Sequence, residues 1–411
     1  MKTEICIIGA GPSGLISAIF SAMKGTEVVL LETNTNAGCK LLITGGGRCN
    51  ITHKIKPGEF VKLLGKQGRF LSYCIYEYSP EYIMSFFADL GLKTIIENDG
   101  CVFPLSQKAH DVRNVLVEKA KVLDVKFLYD KRAESISKES DCFVIETKGK
   151  QIIAEKVILA TGGISWPKTG SKGDGYRFAE NFGHNIIEPR ASLVPLVVEE
   201  QWLKQLGGVA ITNVKITAKL NNKKITTQGA LVFTDNGIGG PAAQDMSRYL
   251  TDMLPAKEQP IPVAIDLILD LEQHDFEKEI IDRCNENPKK QISNLLADFL
   301  PRRLSSIICK LNKCDEELTI GHLSKETRRK IVELIKNMPL SVLKTRSIEE
   351  AVVTRGGVDL DEIDSKTMES KICKGLFFAG EVINADAPCG GYNLQIAWST
   401  GALAGTCAAK K

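Results

Sequence analysis

The chain has 411 residues, of which 43% are hydrophobic and 25% charged, with a formal net charge of +3. That length exceeds what one hydrophobic core usually supports, so two or three domains are expected, and the near-balanced charge gives no field argument for nucleic acid or acidic membrane. No apolar run approaches the roughly 18 residues of a membrane span, and the N-terminus enters a strand without a leader, so the cytoplasm is the expected compartment.

Residues 5–14, Ile-Cys-Ile-Ile-Gly-Ala-Gly-Pro-Ser-Gly, end an apolar strand in a G-x-G-x-x-G turn. Gly9 permits the tight turn, Gly11 lets backbone approach a pyrophosphate, and Gly14 lets the next helix pack on the sheet. Pro12 suits the first helical turn and Gly25 its end. The amides around Ser13, at the positive end of the helix dipole, can hold an anion without any Lys or Arg. A second apolar run, Val28 to Leu31, closes on Glu32, at about the 20-residue spacing of a carboxylate that binds ribose hydroxyls. A 2′-phosphate would be repelled there, which disfavours NADP at this site. A bare glycine turn is the ordinary alternative, and the two flanking apolar runs with Glu32 set it aside.

Next comes the segment 38–50, Gly-Cys-Lys-Leu-Leu-Ile-Thr-Gly-Gly-Gly-Arg-Cys-Asn. Three successive glycines carry a large backbone entropy cost, and close passage beside a planar ligand would offset it. Lys40, Thr44, Gly45, Gly46, Gly47, Arg48, Cys49 and Asn50 are therefore candidate cofactor contacts. Ser79 and Pro80 start a helix with Ile83, Phe86, Phe87 and Leu90 on one face, and Gly91 ends it. A helix over 111–123 precedes short strands near 125–128, 133–137 and 143–147, with Ala133 a further cofactor candidate. A strand over 156–160 runs into Ala160-Thr161-Gly162-Gly163, a turn able to pass its backbone beside a dinucleotide. His184, following Gly183, reads as a loop or core histidine rather than a proton shuttle.

Near Ser192 the period changes. Val214, Ile216, Ala218 and Leu220 alternate with polar residues, Asn221-Asn222 can turn, and Ile225 begins a return strand. Segments 229–233 and 262–269 are further strand candidates, so an antiparallel barrel or sandwich is expected. From 271 to 338 the chain turns helical and charged. Ser324 caps a helix striped by Ile331, Leu334, Ile335 and Met338. Lys289-Lys290, Arg302-Arg303 and Arg328-Arg329-Lys330 read as solvated faces, because no aromatic residues interleave them. The twelve cysteines form no CxxC pair. Cys309 and Cys314 have the spacing of a flavin disulfide reductase but lie far from the nucleotide fingerprint, so they read as structural.

The apolar strand before Gly380-Glu381 returns the chain to α/β character. Glu381 is placed for ribityl hydroxyls, and Asp386 lies just beyond it. After Cys389-Gly390, residues Gly391, Tyr392, Asn393 and Leu394 open a helix whose dipole would favour negative charge on a reduced flavin. The expected fold is α/β, with a Rossmann-like FAD-binding domain from two segments, 1–190 and 345–411. It carries an antiparallel β-barrel-like insert, 191–270 with 339–355, and a small helical insertion, 271–338.

Together these segments resemble the BaiN-like and aminoacetone-oxidase-like flavoproteins, a family of FAD-dependent oxidoreductases, nearly end to end. The most specific matches are Lys40-Leu41-Leu42 with 45–50, the Ala-Thr-Gly-Gly turn, and Leu231-Val232-Phe233-Thr234-Asp235 with Gly239-Gly240-Pro241. Gly356-Gly357-Val358 before Thr367-Met368-Glu369-Ser370-Lys371, and the run Gly390 to Gln395, complete them. The resemblance implies FAD in an extended pose, a barrel-like insertion and a helical insertion within that. Where the family often has paired aspartates this chain has Asn384 with Asp386, and where a histidine often follows the Phe-Thr pair it has Asp235. Both departures fall on the side where the substrate is expected.

Only one dinucleotide fingerprint is present, so NAD(P)H is expected as a transient reductant at most. The leading reaction is flavin hydride transfer with a small or medium organic substrate, an enone or steroid-like molecule. An amine oxidase giving imine and peroxide is the nearest alternative, and a tRNA-modifying flavoprotein is a remote one. Tyr392, Arg48 and Cys389 are candidates for catalysis, each equally readable as a positioning or packing residue. No metal-ligand spacing occurs, nucleic-acid and membrane partners are not expected, and no feature specifies an oligomer.

Overall fold

The computed structural model describes residues 1–220, 223–251, 253–254 and 259–410. The turn expected at Asn221-Asn222 lies outside the described residues. The chain forms two compact units, residues 1–190 with 352–411, and residues 191–351.

The first unit opens with β1 (Lys2–Ile8), α1 (Pro12–Ala22) and β2 (Val28–Leu31). β1 and β2 pair in parallel with Ile5 opposite Val28 and Ile8 opposite Leu31. Every residue of β2 is buried, as expected for a parallel strand covered on both faces. A glycine-containing 3₁₀ stretch, Leu41–Gly47, follows, with Gly45, Gly46 and Gly47 all at positive φ. It is a defined left-handed turn, a conformation that glycine adopts readily and other residues do not.

Next come β3 (Thr52–His53), α2 (Pro57–Leu63), α3 (Lys66–Glu77), α4 (Pro80–Asp89), β4 (Thr94–Ile96) and β5 (Cys101–Pro104). These three strands form a small antiparallel sheet in the order β3-β5-β4. Ser79 caps α4 as expected, its hydroxyl accepting the Tyr82 N–H at 3.2 Å. α5 (Ala109–Val122) starts two residues before the expected position. It leads to β6 (Lys126–Leu128), β7 (Ala133–Glu139), β8 (Cys142–Thr147), β9 (Lys150–Leu159), α6 (Asp174–Asn181) and β10 (Ile186–Ser192).

The second unit is a closed barrel ordered β11-β14-β13-β12-β15-β16 with helices attached. Its elements are β11 (Leu196–Val198), β12 (Ala210–Leu220), β13 (Lys223–Thr234), β14 (Gly237–Gly239), α7 (Pro241–Leu250) and β15 (Ile261–Asp266). Helices α8 (Gln273–Glu286), α9 (Ile292–Leu296), α10 (Arg302–Leu311) and α11 (Lys325–Lys336) then precede β16 (Met338–Thr345). Inward alternation on β12, with Val214, Ile216 and Ala218 buried, fills a core shared with Phe233, Ile265 and Met246. β15 stops at Asp266, short of the expected 269, because the Asp266 carboxylate turns the chain by accepting the Ile268 N–H at 3.1 Å. Ser324 caps α11, accepting the Thr327 N–H at 3.0 Å.

The chain returns to the first unit through β17 (Val353–Val358), β18 (Leu376–Phe378) and α12 (Tyr392–Ala408). β18 completes a seven-stranded sheet by pairing in parallel with β9, which also pairs with β1. α12 packs on α1 through small residues. A Cβ on Gly401 would stand 2.6 Å from the Ser13 carbonyl, and one on Gly405 would stand 2.4 Å from that of Ser17. The hydroxyls of Ser17 and Ser21 donate to the Gly401 and Gly405 carbonyls at 2.8 and 3.0 Å. The last helix is thereby locked beside the first.

Candidate active site

The ends of β1, β2 and β9 open on one side into a cavity of about 1300 Å³, a figure that includes the space at its open mouth. At the β1–α1 turn, a Cβ on Gly9 would meet the Ala160 carbonyl oxygen at 2.5 Å, and one on Gly14 the Gly9 carbonyl oxygen at 1.8 Å. Gly11 differs: a Cβ there would meet nothing within 4 Å, since it faces the cavity. Gly9 and Gly14 allow the turn to close, and Gly11 leaves its amide accessible. Pro12 and Ser13 continue the same wall.

Glu32 lies at the end of β2 on that wall, buried. One carboxylate oxygen accepts the Ala10 N–H at 2.9 Å, and the other accepts the backbone and side-chain N–H groups of Asn34, both at 2.8 Å. Burial pushes its carboxyl above the ordinary range, and these hydrogen bonds pull it back. The opposite strand end contributes Ala160, Thr161 and Gly162, and Ala133 at the start of β7 also lines the space. Arg132 and Asp174, which the sequence did not single out, pair at 2.8 Å on the same wall.

Lys40, Thr44 and Glu381 form a further stretch of lining. The Lys40 ammonium donates to Ser165 Oγ and to Glu381 Oε2, both at 2.7 Å. Glu381 Oε1 accepts from Ser165 Oγ at 2.9 Å and from the Thr354 N–H at 2.7 Å. The Thr354 hydroxyl then accepts the N–H groups of Ile164 and Ser165, at 2.9 and 3.0 Å. Both oxygens that the sequence assigns to ribityl hydroxyls thus already hold protein donors, and Ser165 and Thr354 complete the cluster. No spacing rule reveals these two: Ser165 is 216 residues from Glu381.

Asn393 and Leu394 line the cavity at the start of α12. The Asn393 side chain clamps the preceding turn, accepting from Ala387 N and donating to the carbonyls of Ala387 and Pro388. Other predicted residues stand behind the wall. Gly380 is pressed on Ser13, where a Cβ would lie 2.4 Å from its hydroxyl. Gly391 caps α12 against the Thr52 carbonyl. Tyr392 is buried, stacked between His53 and Phe60 at 4.7 and 5.3 Å. Asp386 is 1% exposed, with the Gln67 amide and Arg355 as neighbours.

Gly45, Gly46, Gly47, Arg48, Cys49 and Asn50 form the turn beyond Thr44 rather than the cavity lining. Arg48 is engaged by Glu97 at 2.7 Å, by Gln107 at 3.1 Å and by the face of Phe103 at 3.9 Å. Cys49 is fully buried, which pushes its thiol up to about 12 and removes thiolate character. Asn50 Oδ1 is buried without a hydrogen-bond partner among the described residues, close to the Gly391 turn. Cys389 sits half-buried before α12. His184 is a core residue bonded to Glu362 at 3.0 Å and Ser370 at 2.7 Å, and burial pulls its pKa down.

Among the described residues no cluster of metal-ligating side chains occurs, and no helix is long and apolar enough to cross a membrane. The donor set suits FAD. The open face at Gly11, the buried carboxylate at Glu32, the glycine turn at the end of β9 and the polar Lys40–Glu381 cluster succeed one another along one cavity wall.

Comparison with known proteins agrees with this architecture. The HI0933-like protein Rossmann domain model matches residues 3–407. A ribosomal RNA dihydrouridine synthase of Haemophilus influenzae is 33% identical over 406 residues, 97% of this chain and 96% of the relative. A 3-dehydro-bile acid delta(4,6)-reductase of Clostridium scindens is 30% identical over 411 residues, 99% of each. The solved 3-ketosteroid-delta4-(5alpha)-dehydrogenase of Rhodococcus jostii shares the fold at a TM-score of 0.53 and 16% identity, covering 100% of this chain and 97% of that one. The protein is an FAD-dependent oxidoreductase, and the chain belongs to the HI0933-like Rossmann family.

Proposed function

We propose that this flavoprotein reduces a carbon–carbon double bond conjugated to a carbonyl group. The observation that carries this reading is the cavity wall, built from both ends of the chain, that combines a dinucleotide clamp with the half-buried Lys40–Glu381 cluster. The relatives supply the reaction class. Converting uridine to dihydrouridine and reducing a Δ4,6 bond beside a 3-keto group both add two hydrogens across an alkene activated by a carbonyl.

In this reading, amides at the start of α1 hold the pyrophosphate and Glu32 the adenosine ribose, with Ala133 and Ala160 to Gly162 beside them. Lys40, Thr44 and Glu381, whose Oε2 accepts from Lys40 alone among the described residues and keeps a lone pair, would hold the ribityl and ring portion. When bound and reduced by a nicotinamide, FAD would supply the hydride equivalent, and solvent the proton, that saturate the alkene. The protein's part is to orient the alkene and to keep the Lys40 charge fixed toward the cavity by Glu381 and Ser165.

For the substrate, a small steroid-like enone is the first reading. A second, a uracil base in ribosomal RNA, is favoured by the Haemophilus relative. Anaerobic incubation of the yellow protein with NADH or NADPH and either a Δ4-3-ketosteroid or deproteinised ribosomal RNA tests both. Nicotinamide oxidation matched by saturated steroid, or by dihydrouridine in the RNA digest, is expected. Peroxide formed from amines in air, with neither alkene reduced, would overturn the proposal in favour of an amine oxidase.

A further inference from the structure

The cations of this chain are used in two ways. In the helical part of the second unit several are neutralised, Arg283 by Glu279 and Asp298, Lys290 by Asp298, and Arg328 and Arg329 by Glu277. Lys289, Arg302 and Lys313 are exposed there without an ion pair among the described residues, and no exposed tyrosine follows them. On the α2–α3 hairpin of the first unit, Lys56, Lys62, Lys66 and Arg69 are all exposed and make no ion pair among the described residues. Lys66 and Arg69 stand at the start of α3, whose first turn has no acidic residue. The helix dipole opposes cations there, so these charges do not serve helix stability.

Lys66, Arg69, Tyr73 and Tyr76 follow at i, i+3, i+7 and i+10, one face of α3. The opposite face buries Gly68, Leu71, Cys74 and Ile75. Tyr73 is 42% and Tyr76 60% exposed, so the basic stripe runs directly into two accessible aromatic rings. Cations adjoining exposed aromatics are the combination that the helical insertion lacks, and they match a phosphate backbone with stackable bases, with Glu77 at the far end of α3 the one carboxylate on this helix.

The hairpin is also tied to the cavity. Gln67 donates to the Asn384 carbonyl at 3.1 Å and accepts the Asp386 N–H at 3.2 Å, gripping the residues on either side of the cavity-lining Ala385. Phe60 of α2 stacks on Tyr392, the first residue of α12. We infer that the α2–α3 hairpin is a single-stranded RNA docking surface, Lys62, Lys66 and Arg69 contacting phosphates and Tyr73 and Tyr76 stacking on bases. The inference rests on the RNA reading of the substrate and assigns residues to it.

The test uses the FAD-loaded protein and a fluorescein-labelled, uridine-rich single-stranded RNA of about twenty nucleotides, followed by anisotropy across a salt series. The wild type is expected to bind with strong salt dependence. The K62E/K66E/R69E variant should bind at least about tenfold more weakly, with a salt slope reduced by about one for each phosphate no longer neutralised. Y73A/Y76A should lose roughly five- to a hundredfold with the slope unchanged. The neutral K62Q/K66Q/R69Q variant, checked by flavin absorbance and melting, guards against misfolding of the reversed one. Equal RNA affinity in all four proteins, or wild-type binding to phosphatidylserine vesicles in place of RNA, would overturn the surface. Steroid-enone turnover is followed in parallel and should be unchanged in every variant. Wild-type protein that reduces neither the steroid enone nor uridine in the RNA would sink the alkene-reductase reading while leaving the binding result interpretable.

Discussion

Two lysine–carboxylate pairs show how the two units of this protein use partly buried charge. In the second unit, Lys336 meets Asp266 at 2.9 Å and donates to the carbonyls of Ile268 and Leu271, so its ammonium is enclosed by the turn that follows β15. In the first unit, Lys40 meets Glu381 at 2.7 Å, yet its partners come from segments 125 and 341 residues away and the group lines a cavity. The first pair fastens the end of α11 to the turn after β15, 65 and 68 residues away, and faces no cavity among the described residues. The second joins three chain segments and keeps a charge facing the space a cofactor would fill. Comparable distances therefore carry different consequences, and the difference lies in what the charge faces once paired.

The sharpest way to break this comparison is to remove the enclosed lysine. Lys336→Met removes the nearer counter-charge of Asp266, leaving Lys215 at 3.9 Å, and takes the donor from the Ile268 and Leu271 carbonyls, so a loss of about 2–3 kcal/mol is expected, read as a lowered denaturant midpoint. Flavin content of the protein that remains folded should match wild type. A loss of flavin at unchanged stability would show that the two pairs are not functionally distinct.

Glu381→Gln is the matching change in the first unit. It removes the counter-charge of Lys40 and one of the acceptors shared by Ser165 and Thr354, at a site where both side chains of the pair remain partly accessible. A stability loss of about 1–3 kcal/mol is expected. The larger readout is flavin retention, weaker by roughly ten- to a hundredfold in equilibrium titration with FAD. Unaltered FAD affinity would reduce the cluster to a structural staple like that of Lys336.

The contrast also explains what the sequence could convey. The β1–α1 clamp was legible because the constraint is local: Gly9 and Gly14 close on neighbours within a few residues and on one strand end. Glu32 was legible for the same reason, lying one strand beyond. The barrel was legible from alternation at Val214, Ile216 and Ala218, and the start of α11 from Ser324. Ser165 and Thr354 were not, since a hydroxyl gains its role only when folding brings distant turns onto Glu381. Tyr392 and Arg48 show the converse. Each stands in a motif beside the cavity, but rings stacked on the one and the Glu97–Gln107–Phe103 set around the other hold both side chains outside the cavity lining. Motif position records proximity, whereas side-chain direction depends on packing that no spacing encodes.

A pH measurement sharpens the same distinction through His184. Burial lowers its pKa below the ordinary 6.5, with the Glu362 contact opposing that shift only in part. The unfolded chain therefore binds the proton more readily, so the stabilising contribution is present above about pH 6.5 and is lost as the pH falls through the depressed folded value. The wild-type melting temperature should decline on acidification below that point. His184→Gln, able to bond both Glu362 and Ser370 without titrating, should show a shallower decline. Parallel acid curves for the two proteins would mean that other groups govern the acid limb.

The smallest effect concerns Arg48. Its pair with Glu97 is solvent-accessible, with side chains 42% and 37% exposed, and such pairs contribute roughly 0–1 kcal/mol. Its guanidinium over Phe103 adds about 0.5–1 kcal/mol at an exposed site. Arg48→Met preserves much of the apolar contact while removing the charge, so a loss under about 1 kcal/mol is expected, with FAD affinity unchanged because the side chain lies outside the cavity wall. The informative quantity is then kcat/KM for the alkene substrate. A fall of tenfold or more at constant flavin content would place Arg48 on the substrate, its ion pair opening to do so. An unchanged value would leave it as a fastening of the glycine turn, a solvent-exposed counterpart of Lys336 in the second unit.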